Sequence, residues 1–235
     1  KNISLENLKK KGIREMPKYG WEPVTVPGLP AAWAELSNRF GYLLFSELFK
    51  PAVHYADEGY PISPMLWKNW DEAHQTFKEN LVGEQFIPWF QTFTHDGETP
   101  RIGEIWQAPD HAQTLQLIAD TKGESFYRGE LAEKIDKCSK QYGGYINADD
   151  LAMYSPDWVE PICVNYRGYD VWEIPPNGQG LVALMALNIL KGFDFHEKDS
   201  IETYHKQIEA IKLAFADGER YITEPNSMTA LLKPL

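Results

Sequence analysis

Pro175-Pro176-Asn177-Gly178-Gln179-Gly180, followed at once by the apolar stretch 181–190, decides how this chain folds. Two prolines end a strand, and glycine lets the backbone turn tightly or approach another group closely. Only Asn188 is strongly polar in the ten residues that follow, so a helix buried nearly all round is expected there. Upstream, Ile162, Val164 and Tyr166 alternate with Pro161, Cys163 and Asn165. The alternation resumes at Asp170, Trp172 and Ile174, which predicts a hairpin turning at Arg167-Gly168. Downstream, a helix is expected from Ser200 to about Asp217, with Ile201, Tyr204, Ile208, Ile211 and Phe215 in one stripe. Its opposite face carries Glu202, Lys206, Glu209 and Lys212, a solvated and self-paired surface. Two strands alone make a poor sheet, so the remaining strands are expected from a part of the protein outside this chain.

The rest of the chain reads as helix. After Val26-Pro27-Gly28, Pro30 suits a first helical turn, and Leu29, Trp33, Leu36 and Phe40 recur at helical spacing. A buried face is therefore expected up to Gly41. Phe45, Leu48, Phe49, Ala52 and Ala56 predict a second helix that Gly59 stops, with Pro51 kinking it or starting its second part. A third helix is placed around 62–80, with Trp67 and Trp70 packing on its neighbours. Prolines 88, 100 and 109 break the next segment into loops and short helices. Helical spacing returns at Ala112, Leu115, Ile118 and Ala119, and again at Leu131, Ile135, Cys138 and Tyr142, ending at Gly143-Gly144. Asn147 with Asp150 predicts a capped short helix through Met153.

Composition narrows the function. A net charge of −11 disfavours nucleic acid, because no basic stripe is available to displace phosphate counterions. No apolar run approaches membrane-spanning length. The cysteines, Cys138 and Cys163, are too few for a disulfide scaffold and not at metal spacing, so they read as free thiols. The opening at Lys1, without Met or a signal-peptide core, reads as a piece of a longer protein, and localisation stays open.

Each candidate for chemistry competes with a plainer role. The Gly178–Gly180 loop before a helix could cradle an anion, yet neither G-x-x-x-x-G-K-[ST] nor G-x-G-x-x-G is present, Ala183 standing where a third glycine would be. No G-x-S-x-G elbow occurs. Glu202 and His205 have the E-x-x-H spacing of di-iron bundles, with Glu209 one turn on, but no second copy exists, which favours a surface histidine paired with Glu209. His95-Asp96 and Asp110-His111 read as loop and cap groups, His54 and His74 as lone histidines, and Asp149-Asp150 as a helix cap. From the residues alone no self-contained catalytic constellation, metal site or cofactor site emerges.

The order of motifs does resemble a family. Val26-Pro27-Gly28, then Pro51-Ala52, Ala56, Asp57 and Gly59, are followed by Gly103-Glu104 and Gln107-Ala108-Pro109-Asp110. Phe126-Tyr127-Arg128-Gly129-Glu130, Gly143-Gly144 and Asp149 to Tyr154 come next. Tyr166-Arg167-Gly168-Tyr169, Pro175-Pro176, Leu187 to Leu190, His205, Glu209-Ala210, Lys212 to Asp217 and Tyr221 complete the series. Together these resemble the large-subunit portion of a γ-glutamyltranspeptidase over nearly all of residues 24–225.

The resemblance implies a mainly α chain with a small β-hairpin, the helical part of the large subunit of an N-terminal-nucleophile hydrolase with an αββα core. Residues 1–235 would form a single helical domain of that subunit. It further implies a precursor that cleaves itself, a small-subunit partner with an N-terminal threonine nucleophile, a small γ-glutamyl or related amide substrate, and no cofactor. No catalytic residue then lies in this chain. Thr223 before Glu224 and Thr229 before Ala230 do not fit the nucleophile's context, and Arg14 does not carry the family's carboxylate-binding arginine. Two departures stand out: Asn177-Gly178-Gln179-Gly180 replaces a Ser-Ser-Gly-Gly type loop, and Asp217-Gly218 replaces an Asp-Arg pair. They imply a divergent branch whose substrate need not be glutathione, with Asn177 and Gln179 as substrate-pocket candidates. The alternatives are a non-catalytic helical binding or scaffold module and, through Glu202, His205 and Glu209, a metal enzyme. Apolar surface left for the missing sheet would make the isolated chain self-associate.

Overall fold

Helix signals account for most of the chain's order. A computed structural model describes residues 3–228, and Thr229 lies outside them. The chain divides into two compact units, Lys1–Pro156 and Asp157–Leu235.

In the first unit a short helix α1 (Leu5–Lys10) precedes α2 (Leu29–Phe40), α3 (Phe45–Glu58), β1 (Tyr60–Pro61) and α4 (Pro64–Asn80). Then come α5 (Ile87–Phe93), β2 (Ile105–Trp106), α6 (Pro109–Thr121), α7 (Glu124–Arg128), α8 (Glu130–Gln141) and α9 (Ala148–Ala152). The termini form as their residues dictate. Gly59 ends α3 at φ 88°, a value that suits glycine, while the Ser63 and Asn147 side chains accept from the N–H of Leu66 and Asp150. Pro51 sits inside α3, which runs through it as one helix of 14 residues. Helices α3 and α6 lie side by side, joined by a core of Phe45, Phe49, Ile118, Ala119 and Leu131. A second core of Tyr127, Ala132, Ile146 and Leu151 ties α7, α8 and α9 to Val26 and Ala31.

The α2 face departs from expectation. Leu29, Leu36 and Phe40 are exposed, and the residues meeting the two cores are Ala31 and Ala34. The two alanines turn inward, and the bulky stripe is left open. Trp33, at its edge, meets Phe49 edge to face at 5.7 Å.

The second unit comprises β3 (Ile162–Tyr166), β4 (Tyr169–Glu173), α10 (Gly180–Leu190) and α11 (Ile201–Tyr221). The strands pair antiparallel with Val164 opposite Val171, and the turn at Arg167 (φ 55°) and Gly168 (φ 87°) takes the left-handed conformations of a tight hairpin. Val164 is buried, whereas Trp172 and Ile174 are exposed. Helix α10 is buried at Leu181, Val182, Leu184, Ala186 and Leu190, and it packs on α11 and the hairpin. The α11 stripe is the second departure. Ile201, Tyr204, Ile208, Ile211 and Phe215 are exposed, while Thr203, Ala210, Ala214 and Gly218 are buried. Small residues spaced by four let α11 approach α10 closely, and a Cβ added at Gly218 would lie 2.7 Å from Val182 Cγ2.

Candidate functional site

The loop from β4 to α10 is anchored at both ends. Pro176 is buried, and Gly180 lies under the Glu173 side chain, where an added Cβ would fall 2.5 Å from Glu173 Oε2. Gly180 is therefore required for close approach, whereas Gly178 has open space around it. Between these anchors Asn177 and Gln179 are both exposed. Gln179 occupies the N-cap of α10 without a side-chain cap bond, and its carbonyl accepts from the Val182 N–H at 3.0 Å. The loop thus presents two amide side chains able to donate and accept hydrogen bonds.

The carboxylates of α11 are occupied by lysines. Lys206 donates to Glu202, and Lys212 donates to Glu209 Oε1 at 2.6 Å, so Glu209 is paired with Lys212 rather than with the expected His205. These hydrogen bonds are the main reason both carboxyls sit below the ordinary range, and His205 contributes only a weaker field to Glu209. Among the described residues, no group of three or more His, Cys, Asp or Glu is arranged to hold a metal ion.

The other candidates serve local structure. His54 Nδ1 meets Glu58 at 3.3 Å on the exposed surface of α3. His95 stacks on Trp106 at 4.5 Å with Nδ1 3.3 Å from Glu104, and Asp96 (φ 52°) and Gly97 form the turn between His95 and Glu98. His74 is a core residue, 2% exposed, with its ring near Phe90. Asp110 and His111 open α6, and Asp149 and Asp150 lie in the first turn of α9. Cys138 and Cys163 are free thiols.

Motifs far apart in sequence meet in space. The Tyr127 hydroxyl donates to the Pro27 carbonyl at 2.6 Å and accepts from the Ala31 N–H at 3.2 Å. Its ring stacks on Tyr154 at 5.4 Å, and a Cβ at Gly28 would overlap the Tyr154 hydroxyl. Arg128 donates to the Tyr154 carbonyl and to Glu124. A second junction joins the end of α3 to β2 and α6. The Ala108 N–H donates to the Ala56 carbonyl at 2.7 Å and Gln107 Nε2 to the Asp57 carbonyl at 3.0 Å, while Gly59 leaves room for Ile105 and Trp106. These junctions brace a scaffold, and they contain no nucleophile with an adjacent base.

The fold belongs to a known class. The chain superposes on a cephalosporin acylase from Bacillus halodurans with a TM-score of 0.94 and 54% identity, covering 98% of this chain and 43% of that one. It superposes on the γ-glutamyltranspeptidase of Helicobacter pylori with a TM-score of 0.84 and 26% identity, covering 94% and 63%. The mainly helical chain with its small hairpin accordingly has the fold seen in these N-terminal-nucleophile hydrolases. A family model described as gamma-glutamyltranspeptidase matches residues 1–235, and the chain belongs to that family. Among curated relatives, the glutathione hydrolase-like YwrD proenzyme of Bacillus subtilis is 34% identical over 230 residues, 96% of this chain and 42% of the relative. The oxamate amidohydrolase proenzyme of Klebsiella pneumoniae is 30% identical over 226 residues, 92% of this chain and 41% of the relative. The chain thus spans about two fifths of the length of these curated relatives.

Proposed function

We propose that this chain is the large-subunit portion of a γ-glutamyltranspeptidase-like amide hydrolase or transferase, with its nucleophile on the small subunit of the same precursor. The observation carrying this reading is the family match over residues 1–235 combined with the 42% of a proenzyme relative that the chain spans. In this reading the small subunit's N-terminal threonine adds its hydroxyl oxygen to the substrate's amide carbonyl carbon, and its own α-amine takes the proton. Backbone N–H groups hold the resulting oxyanion, the amine leaves with that proton, and an ester-linked acyl-enzyme remains. Water or an acceptor amine then takes the acyl group, and no cofactor takes part.

The bulky open stripes on α2 and α11 support a partner subunit. Leu29, Leu36 and Phe40 on one, and Ile201, Ile208 and Phe215 on the other, leave large apolar side chains in water. Without that subunit the chain self-associates through these faces. Sedimentation across a concentration series shows a rising mass, and a strictly monomeric series contradicts this part of the reading.

Asn177 and Gln179 tune the acyl pocket toward a group other than the γ-glutamyl of glutathione. The 54% identity to a protein named as a cephalosporin acylase favours this acylase-like specificity. The test is turnover of chromogenic amides, γ-glutamyl and glutaryl, by this chain alone and by the full precursor. The chain alone gives none, and the precursor gives turnover that Asn177→Ser and Gln179→Gly shift toward the γ-glutamyl amide. Clear turnover by the chain alone overturns the proposal, and variants with unchanged preference overturn the role of the loop.

A further inference from the structure

A cavity of about 520 Å³ in the first unit opens between α3, α4, α5, β2 and α6. Its lining is dominated by aromatic side chains: Trp70, Trp89, Phe93, Trp106, Tyr55 and Tyr60. The wall is held in place before any ligand arrives. Trp70 Nε1 donates to the Phe93 carbonyl at 2.9 Å, Trp70 meets Trp106 edge to face at 4.8 Å, and Trp89 lies 5.4 Å from Phe93. His95 stacks on Trp106 and steadies that ring further. Ala52, Ala56, Ala73 and Ala108 also line the cavity, and their small side chains leave the space between the rings open.

Apart from its tyrosines, one titratable side chain, His111, lines the cavity. The lining contains no lysine, arginine, aspartate or glutamate. Asp57 and Asp110, each next in sequence to a lining residue, border an adjoining groove that also holds Asp120, Glu130 and Lys134, two acids and one base, and the chain as a whole carries −11. Aromatic faces are electron-rich and attract cations, and several rings around one space suit a cation with apolar substituents. An anion would meet the same faces and the flanking carboxylates with repulsion.

We infer that this aromatic cavity binds a small organic cation of the quaternary or aryl-ammonium class. The inference is independent of the hydrolase reading, since it uses neither the loop 175–180 nor any small-subunit residue.

Phenyltrimethylammonium titrated into the full-length gene product, followed by tryptophan fluorescence and by calorimetry, gives saturable binding at one site per copy of this chain. Benzoate, of similar size and opposite charge, gives none. Tyr55 lies at the rim and is 57% exposed, so Tyr55→Ala keeps the fold and weakens binding by about three- to tenfold. Trp89→Leu abolishes it, with circular dichroism confirming that the helices persist. Asp57→Asn with Asp110→Asn weakens binding by about two- to fivefold at low salt and leaves it nearly unchanged at high salt. Absence of saturation at 10 mM, equal binding of benzoate, or full affinity in Tyr55→Ala each overturns the inference.

Discussion

Tyr127→Phe isolates what one hydroxyl contributes to this scaffold. Helix α2 begins poorly by local criteria: Gly28 at its N-cap has no side chain to accept a hydrogen bond. The Tyr127 hydroxyl, some hundred residues away in sequence, accepts from the Ala31 N–H at 3.2 Å and so stands in for a cap. The same oxygen donates to the Pro27 carbonyl at 2.6 Å. Phenylalanine keeps the ring, its stack on Tyr154 and its 3% exposure, and removes only the two hydrogen bonds. An unsatisfied buried group costs about 1–3 kcal/mol, and both hydrogen bonds are part-buried, so a loss of about 2–3 kcal/mol is expected. Urea unfolding should show this as a lower midpoint with an unchanged slope. Gly28→Ser sharpens the test. Serine is normally a favourable cap, yet here its Cβ would overlap the Tyr154 hydroxyl, so the variant should be less stable than the parent. Burial also raises the Tyr127 pKa above the ordinary phenol value of 10.0. The folded state therefore holds its proton more tightly than the unfolded chain does. That contribution is complete below pH 10 and is lost as pH rises through the raised value, and Tyr127→Phe should lack this alkaline loss. A cost below about 0.5 kcal/mol, or a stabilising Gly28→Ser, would refute the capping argument.

Further predictions concern the second unit and α8. Gly218→Ala places a Cβ 2.7 Å from Val182 Cγ2, so overpacking of about 1–3 kcal/mol outweighs the roughly 1 kcal/mol gained in helix propensity. In a double-mutant cycle the penalty should shrink by about 1 kcal/mol when Val182→Ala is present, and strict additivity would count against the contact. Asp136 is held below the ordinary carboxylate range first by Lys140 and also by the Ala148 N–H that opens α9. Its contribution is present above the ordinary carboxylate value and lost as pH falls through the depressed one. Acid titration of Asp136→Asn should therefore show a shallower decline than the parent, and identical curves would reject this assignment.

Elements with a local cause were legible in the sequence. Gly59 ends α3, Asn147 caps α9, and Arg167-Gly168 turns the hairpin where the residue types demand. The apolar stretch 181–190 is a helix as expected, but it is not buried nearly all round, since Ala183 is exposed and Met185, Leu187, Asn188 and Ile189 are half-buried. Which face of a helix turns inward was less legible. Periodicity locates the bulky stripes of α2 and α11 but does not say what covers them, and the inward faces are made by Ala31 and Ala34 and by Ala210, Ala214 and Gly218. Small residues carry little weight in an amphipathicity count, although close helix approach depends on them. Gly218 likewise occupies a position with no room for a Cβ beside Val182. At the candidate loop, the anchoring of Gly180 by Glu173 depends on strand register, which its own six residues do not encode. Tyr127 reaching Pro27, and Tyr55 sharing a cavity with Trp106, are long-range outcomes with no local signature.

The central claim is that this chain is one subunit of a self-processed precursor. Its most direct test expresses the gene through to its stop codon, purifies the product, and determines the mass and N-terminal sequence of every polypeptide. The account predicts two chains that copurify, the second beginning at a threonine, and loss of both cleavage and amidase turnover when that threonine becomes alanine. An uncleaved polypeptide with full amidase activity, or a second chain beginning at a residue without a side-chain nucleophile, would contradict it.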